Sequence, residues 1–105
     1  SKASILVIDV SFISLLQVLP HALPHLDSNA WVYVLIKPQF EVGREHVGRG
    51  GIVRDVAVRE ATVARIVAGA ERLGLQKRGL LESPIKGAEG NVEYVAGFLY
   101  SDHQE

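Results

Sequence analysis

The sequence predicts an α/β fold in which parallel strands, buried by helices, are followed by an antiparallel final strand. Two apolar runs, at residues 3–8 and 31–36, have strand length and lack the alternation of a half-exposed strand. A longer stretch, 56–73, repeats its apolar residues with helical spacing. Two further strand-like segments, 75–83 and 92–100, lie close enough in sequence to form an antiparallel hairpin. The resulting order, β-α-β-α-β-β, is typical of an α/β sheet with an antiparallel edge region.

Composition limits the chain to one domain and excludes several kinds of protein. The 105 residues are 48% hydrophobic, which is enough for a core and argues against intrinsic disorder. With no cysteine, disulfide frameworks, thiolate nucleophiles and cysteine-based zinc sites are excluded. No apolar run approaches the roughly 20 residues of a spanning helix, and no secretory signal can be recognised. We therefore expect a cytoplasmic protein.

The first strand and helix are predicted from the apolar start of the chain. Residues 3–8 form the strand, Ser11 is a candidate helix N-cap, and residues 12–19 are apolar enough for a buried helix. Pro20 and Pro24 limit how far that helix can continue. Because a strand buried on both faces has neighbours on each side, we expect the sequence to be a piece of a longer protein, trimmed before a central strand.

A turn and a long loop surround the second strand. Residues 27–29 (DSN) are typical of a turn, and residues 31–36 predict a second fully buried strand. Residues 38–54 contain four glycines and no lasting periodicity, which predicts a loop. Loops of this length in a small domain are usually functional or mobile.

The second half of the chain has clearer boundaries. Asp55 is a candidate cap for a helix over 56–73, and Gly74 occupies the position where glycine commonly ends a helix. Residues 75–83 and 92–100 are the last two predicted strands, joined by a loop with two glycines.

Three charged residues interrupt or end the apolar segments. Asp9 follows the first strand, Lys37 follows the second, and Glu93 lies within the last. An unpaired buried charge costs several kcal/mol, so each of the three needs a partner. A structural ion-pair network, or side chains that reach solvent at the strand ends, is one interpretation. A ligand site is the other, because open α/β sheets bind ligands at the carboxyl ends of their strands.

A lysine beside carboxylates can act as a general base. A weakly acidic alcohol, such as a ribose hydroxyl, needs this help before it can attack an electrophile. If the three charges converge, the sequence predicts a site suited to that chemistry.

Four segments resemble the signature blocks of the TlyA/hemolysin A family, whose members are similar to FtsJ-type ribose 2′-O-methyltransferases. The resemblance spans about residues 4–100 and follows the family's order. The segments are 9–14 (DVSFIS), 35–41 (LIKPQFE), 48–55 (GRGGIVRD) and 83–94 (SPIKGAEGNVEY).

The resemblance implies a Rossmann-like methyltransferase that uses S-adenosylmethionine to methylate a cytidine ribose of ribosomal RNA. It further implies a Lys-Asp-Lys-Glu catalytic tetrad, of which Asp9, Lys37 and Glu93 match three members. The resemblance implies that Lys37 is the base, that Asp9 and Glu93 orient it and hold its charge, and that Asp9 lies beside the cofactor. Residues 1–105 correspond to the C-terminal portion of the methyltransferase domain. The family's cofactor-binding half, its first tetrad lysine and its N-terminal RNA-binding domain have no counterpart here, so we expect this chain alone to be inactive.

Ribosomal RNA or a ribosomal subunit is the partner that the resemblance implies. Arg49 and Arg54, inside a Gly-rich block, are the first candidate RNA contacts, and Lys86 is the next. A solvated mobile loop is the alternative interpretation of the Gly-rich segment. The four histidines do not form a metal-ligand set, so we expect no metal. A truncated sheet edge would favour self-association.

Two other functions compete with RNA methylation. One is a membrane-acting hemolysin, as the family's name suggests; the absence of a spanning segment weighs against it. The other is a non-catalytic RNA-binding module, in which Lys37 would have no part in methyl transfer.

Overall fold

The computed structural model describes residues 2–87 and 90–101 as a four-stranded sheet with two helices packed on one face. The strand order is β1-β2-β4-β3, with β1 parallel to β2 and β4 antiparallel to both of its neighbours. This arrangement confirms the predicted α/β class and the antiparallel final strand. The elements are β1 (Ala3–Ile8), α1 (Leu15–Ala22), β2 (Leu26–Ile36), α2 (Val56–Arg72), β3 (Leu75–Glu82) and β4 (Tyr94–Tyr100).

The core lies between the helices and one face of the sheet. Alternate residues of β2 and β4 point toward α1 and α2, as the pleat of a strand requires. The largest side chains in this layer are less than 2% exposed; they include Phe98, Leu15, Leu19, Ile36, Ile66, Val32 and Val34. Burial of this apolar layer fixes the positions of the strand ends that carry the candidate site.

Helix α2 follows its sequence signals closely. The Asp55 carboxylate accepts hydrogen bonds from the amides of Ala57 (2.9 Å) and Val58 (3.3 Å), so it caps the helix as predicted. The chain leaves the helix through Gly74, whose φ of +98° suits glycine. The predicted helix over 56–73 is therefore confirmed to within one residue.

Helix α1 begins later than its sequence predicts. Its N-cap is Ser14, whose Oγ accepts from the amide of Leu16 at 3.1 Å, and not Ser11. Phe12 has a φ of +67°, in the left-handed region, and so cannot belong to a right-handed helix. The helix then continues through Pro20 to Ala22.

The first two strands are buried on one face only, which corrects the prediction that both faces are covered. The helices cover one side of the sheet, and within the described part of the chain β1 is an edge strand that pairs with β2 alone. Apolar side chains on the other face are therefore exposed: Ile5 (60%), Val7 (69%), Trp31 (40%) and Tyr33 (39%).

Two strand boundaries also differ from prediction. Strand β2 begins at Leu26, so the predicted turn at 27–29 lies inside it; Asn29 there has a φ of +69°. Strand β4 begins at Tyr94, which puts Glu93 just before the strand and not within it. The 38–54 segment is a loop as predicted, with three short 3₁₀ turns.

Within the described residues, no helix combines the length and apolar character needed to cross a bilayer. The longest, α2, has 17 residues and includes several charged side chains.

Replacing Ile66 with alanine tests the packing of α2 on the sheet. Ile66 is fully buried, so its truncation should lower the free energy of unfolding by about 2–5 kcal/mol. Val56→Ala, at a position 52% exposed on the same helix, should change it by less than about 0.5 kcal/mol. Urea denaturation followed by circular dichroism measures both. Equal effects of the two substitutions would contradict this packing.

Candidate active site

An ion pair joins the carboxyl ends of the two parallel strands. Asp9 follows β1 and Lys37 follows β2, and the Lys37 ammonium contacts the Asp9 carboxylate directly. The same ammonium donates to Ser11 Oγ at 3.4 Å. Parallel strands end at the same edge of the sheet, which is why residues 28 positions apart meet here.

The two charges of this pair differ in exposure. The Lys37 side chain is 14% exposed, whereas that of Asp9 is 58% exposed. Asp9 thus reaches solvent at the end of its strand, and Lys37 is the partner that the sequence predicts it to need. The pair opens to solvent on the Asp9 side, so a polar ligand can approach the amine without crossing the core.

Glu93 is buried as predicted, but its partner is not Lys37. Glu93 is 6% exposed, and its Oε2 accepts a hydrogen bond from Gln39 Nε2 at 2.8 Å. In the described part of the chain, Lys37 has one carboxylate partner, Asp9. Gln39 lies two residues after Lys37, so it connects the lysine segment to the buried acid.

Gly87 leaves the space that the Glu93 carboxylate occupies. A Cβ placed on Gly87 would overlap both oxygens of that carboxylate. The backbone around it is held by the Gly87 amide, which donates to Asn91 O at 2.9 Å, and by the Ser83 amide, which donates to Glu93 O at 2.8 Å. The segment after β3 therefore folds around the buried acid.

Asn91 attaches the Gly-rich loop to the same segment. Its side chain is buried; Oδ1 accepts from the Val53 amide at 3.0 Å and Nδ2 donates to Gly51 O at 2.8 Å. Because this buried amide satisfies two backbone groups, it holds the loop in place, although the glycines of the loop would suggest mobility.

The three predicted RNA contacts are all on the surface. Arg49, Arg54 and Lys86 are exposed, and their loops are the two that Asn91 joins. Arg49 lies in a short turn whose next residues, Gly50 and Gly51, have φ values of +78° and +77°. The structure brings these cations to neighbouring loops, and none of them contacts the Asp9–Lys37 pair.

Phe12 is a feature of the site that the sequence does not predict, because residues 12–19 are apolar enough for a buried helix. Its side chain is 87% exposed, and its ring packs against Phe40 with centroids 4.6 Å apart. A bulky residue with a positive φ is a strained outlier of the kind that clusters at functional sites. Phe12 follows Ser11, whose Oγ accepts a hydrogen bond from the Lys37 ammonium, and Phe40 lies three residues after Lys37.

The described residues offer little that could hold a cofactor or a metal. Residues 9–14, which join β1 to α1, contain no glycine, so this connection is not a Gly-rich cradle. The exposed Asp9 carboxylate is the one group there predicted to face a cofactor. No cluster of three or more histidine or carboxylate side chains suited to a metal occurs in the part of the chain described.

Comparisons with known proteins agree with the resemblance in sequence. The family model "FtsJ-like methyltransferase" matches residues 1–100. The 16S/23S rRNA (cytidine-2′-O)-methyltransferase TlyA of Mycobacterium tuberculosis is 42% identical over 93 residues, which are 89% of this chain and 35% of that protein. Hemolysin A of Brachyspira hyodysenteriae is 41% identical over 96 residues, 91% of this chain and 40% of that protein.

A solved structure shares the fold. The crystal structure of a protein from Lactococcus lactis, described as a hemolysin, superposes with a TM-score of 0.89 at 47% identity, covering 94% of this chain and 47% of that one. The chain thus spans well under half the length of these curated relatives. Because the family model covers nearly every residue, the chain belongs to the FtsJ-like methyltransferase family.

Proposed function

We propose that this chain forms the ribose side of the catalytic centre of an rRNA 2′-O-methyltransferase and acts as the C-terminal portion of a methyltransferase domain. The observation that carries the proposal is the Asp9–Lys37 ion pair at the shared end of the parallel strands. TlyA of M. tuberculosis, named as an rRNA cytidine-2′-O-methyltransferase, supports the choice of a cytidine ribose as substrate.

In this proposal Lys37 is the general base. After its ammonium has released a proton to solvent, the neutral Nζ takes the proton of the ribose 2′-hydroxyl, and the Asp9 carboxylate stabilises the ammonium that forms again. Ser11 Oγ accepts a hydrogen bond from the same nitrogen and restricts its direction. Glu93 acts indirectly, because its hydrogen bond with Gln39 holds the turn that follows Lys37.

FtsJ-like methyltransferases generally use S-adenosylmethionine, which supplies an electrophilic methyl group when bound. Residues 9–14 contain no glycine and so do not fit as its cradle, and we assign to the Asp9 carboxylate alone a place beside the cofactor. We therefore assign only the ribose side of the reaction to this chain, and we expect the chain by itself to be inactive.

RNA recognition is assigned to the exposed cations and to Phe12. Arg49, Arg54 and Lys86 contact phosphates, which position an RNA without reading its sequence. The Phe12 ring stacks on a base of the unpaired target strand, as exposed aromatic side chains do in RNA recognition. The partner is ribosomal RNA, free or in a subunit, and the compartment is the cytoplasm.

We also propose that two copies of this chain can associate through the edge of β1. Among the described residues, the outer edge of β1 pairs with no other strand, and Ile5 and Val7 of β1 are exposed. An apolar edge of this kind pairs readily with a second copy.

Lys37→Ala tests the catalytic assignment. In the longer protein that contains these residues, it should reduce methylation by roughly 10²–10⁴-fold, the usual contribution of a general base. Mass spectrometry of 2′-O-methylated nucleosides in rRNA measures the loss. Lys77→Ala, which removes an exposed amine from β3, is the control and should leave methylation unchanged.

Two results would favour the competing functions. Unchanged methylation in Lys37→Ala, with RNA binding retained, would indicate a non-catalytic RNA-binding module. Dye leakage from liposomes at modest protein concentration would indicate the membrane-acting hemolysin.

Gly87→Ala tests whether Glu93 matters for the reaction. The new methyl group would displace the Glu93 carboxylate from Gln39, so methylation should fall at least tenfold, with a stability cost of about 1–3 kcal/mol. Gly79→Ala is a matched control, because a Cβ there meets no atom within 4 Å. Methylation and urea denaturation should be measured on both variants. Normal methylation by Gly87→Ala would remove Glu93 from the proposal.

Arg49→Ala and Arg54→Ala test the phosphate contacts. Each should weaken RNA binding on all sequences alike and reduce the slope of log Kd against log salt by about 1. Fluorescence anisotropy of a labelled rRNA hairpin, measured from about 50 to about 200 mM salt, gives the Kd and its dependence on salt. Arg72→Ala is the control, since α2 separates it from Arg54 by roughly 25 Å. An unchanged slope in both loop variants would contradict the assignment.

A further inference from the structure

Glu41 makes a pair of long-range contacts that the proposed mechanism does not use. From the loop after β2, its carboxylate accepts a hydrogen bond from Ser14 Oγ at 2.7 Å and another from the Leu15 amide at 2.9 Å. Its own carbonyl accepts from Arg65 Nη2 of α2 at 2.6 Å. Glu41 therefore lies between the two helices, bound to the start of one and to the middle of the other.

Capping α1 does not by itself explain these contacts. The helix already has an N-cap in Ser14, whose Oγ accepts from the Leu16 amide. The first turn of α1 carries no acidic residue of its own, so Glu41 supplies negative charge from 26 positions away. Hydrogen bonds to an ionised carboxylate are about twice as strong as neutral ones, which makes this a firm attachment.

Glu41 provides one of two polar attachments that the described residues show between the segments 9–15 and 37–41. At one end, Lys37 binds Asp9 and Ser11. At the other end, Glu41 binds Ser14 and Leu15.

The strained residue lies between the two attachments. Phe12 has its left-handed φ of +67° there, with its ring on Phe40. That conformation is unfavourable for a bulky residue, so it persists only where its surroundings hold it.

We propose that Glu41 is a positioning residue. By fixing Ser14 and Leu15, it prevents the 9–15 segment from relaxing, keeps the Phe12 ring exposed, and keeps Asp9 and Ser11 facing the Lys37 amine. The effect of Glu41 on RNA binding rests on the proposed function. Its effect on the conformation of the 9–15 segment rests on the contacts alone.

The conformational test uses the 105-residue chain labelled with ¹⁵N and ¹³C. Glu41→Ala should accelerate hydrogen exchange of the Leu15 amide at least tenfold and move the Phe12 backbone shifts away from left-handed values. Glu41→Gln should have a smaller effect, because one amide oxygen can still accept one of the two hydrogen bonds. Glu45→Gln, on the same loop with a side chain 74% exposed, is the matched control and should change neither signal.

Either of two results would overturn the proposal. One is a Phe12 that keeps its left-handed shifts in Glu41→Ala; the other is Leu15 exchange at the wild-type rate. If Glu41→Ala does not fold, Glu41→Gln decides the question by the same two signals.

A double-mutant cycle separates positioning from simple stabilisation. The affinity of each protein for a fluorescein-labelled rRNA hairpin is measured for Glu41→Gln, Phe12→Ala and the double variant. If Glu41 acts through Phe12, the double variant should bind no more weakly than Phe12→Ala alone. Additive losses would overturn the coupling.

Failure of the proposed function would look different. If the wild-type chain binds no rRNA hairpin, the proposed RNA contacts are wrong. The proposed effect of Glu41 on RNA binding is then wrong as well. The exchange and shift measurements would still decide whether Glu41 holds the Phe12 segment.

Discussion

The parallel register of β1 on β2 is the constraint that creates the candidate site. Ile8 pairs with Val34, and both point toward the helices, so by alternation Asp9 and Lys37 point to the opposite face. Lys37 lies two residues beyond the position opposite Asp9, roughly 7 Å along the strand, a distance that a lysine side chain can span. A slip of one residue would put the amine and the carboxylate on opposite faces and would expose the apolar side chains of the core. The burial that stabilises the sheet therefore also brings the two charges together.

Buried polar side chains extend this arrangement from one ion pair to the surrounding loops. Gln39 donates a hydrogen bond to the Glu93 carboxylate, which fits in its place only because Gly87 has no side chain. Asn91 forms hydrogen bonds with the backbone on both sides of Ile52. Each of these groups would be costly to bury unpaired, so the loops are confined to conformations that satisfy them. The segments that carry the proposed catalytic and RNA-binding residues are thus joined by hydrogen bonds, although the cationic side chains themselves reach solvent.

Much of this could be predicted from the sequence because strong local signals agree with the tertiary structure. Asp55 and Gly74 mark the ends of α2, and the charged residues that end the first two strands identify the edge of the sheet where the site lies. Local signals fail where long-range packing decides: nothing in the residue type predicts that Phe12 adopts a positive φ, so the sequence predicts a start of α1 three residues before the observed one. The apolar runs resembled fully buried strands, yet here the helices cover one face only. Gln39, Glu41 and Asn91 lie inside the blocks that carry the resemblance, but their partners are 26 to 54 residues away, and no spacing rule identifies them.

The convergence of Asp9 and Lys37 can be measured directly by NMR on the side-chain ammonium groups. In the 105-residue chain, the Lys37 ¹⁵Nζ should show a scalar coupling through the hydrogen bond to the Asp9 carboxylate carbon, and its protons should exchange more slowly than those of exposed Lys77. Asp9→Asn should abolish the coupling and leave the signals of Lys77 unchanged. A Lys37 ammonium that shows no coupling and exchanges as fast as Lys77 would contradict the account, because the amine would then be free in solution instead of held at the shared end of the two strands.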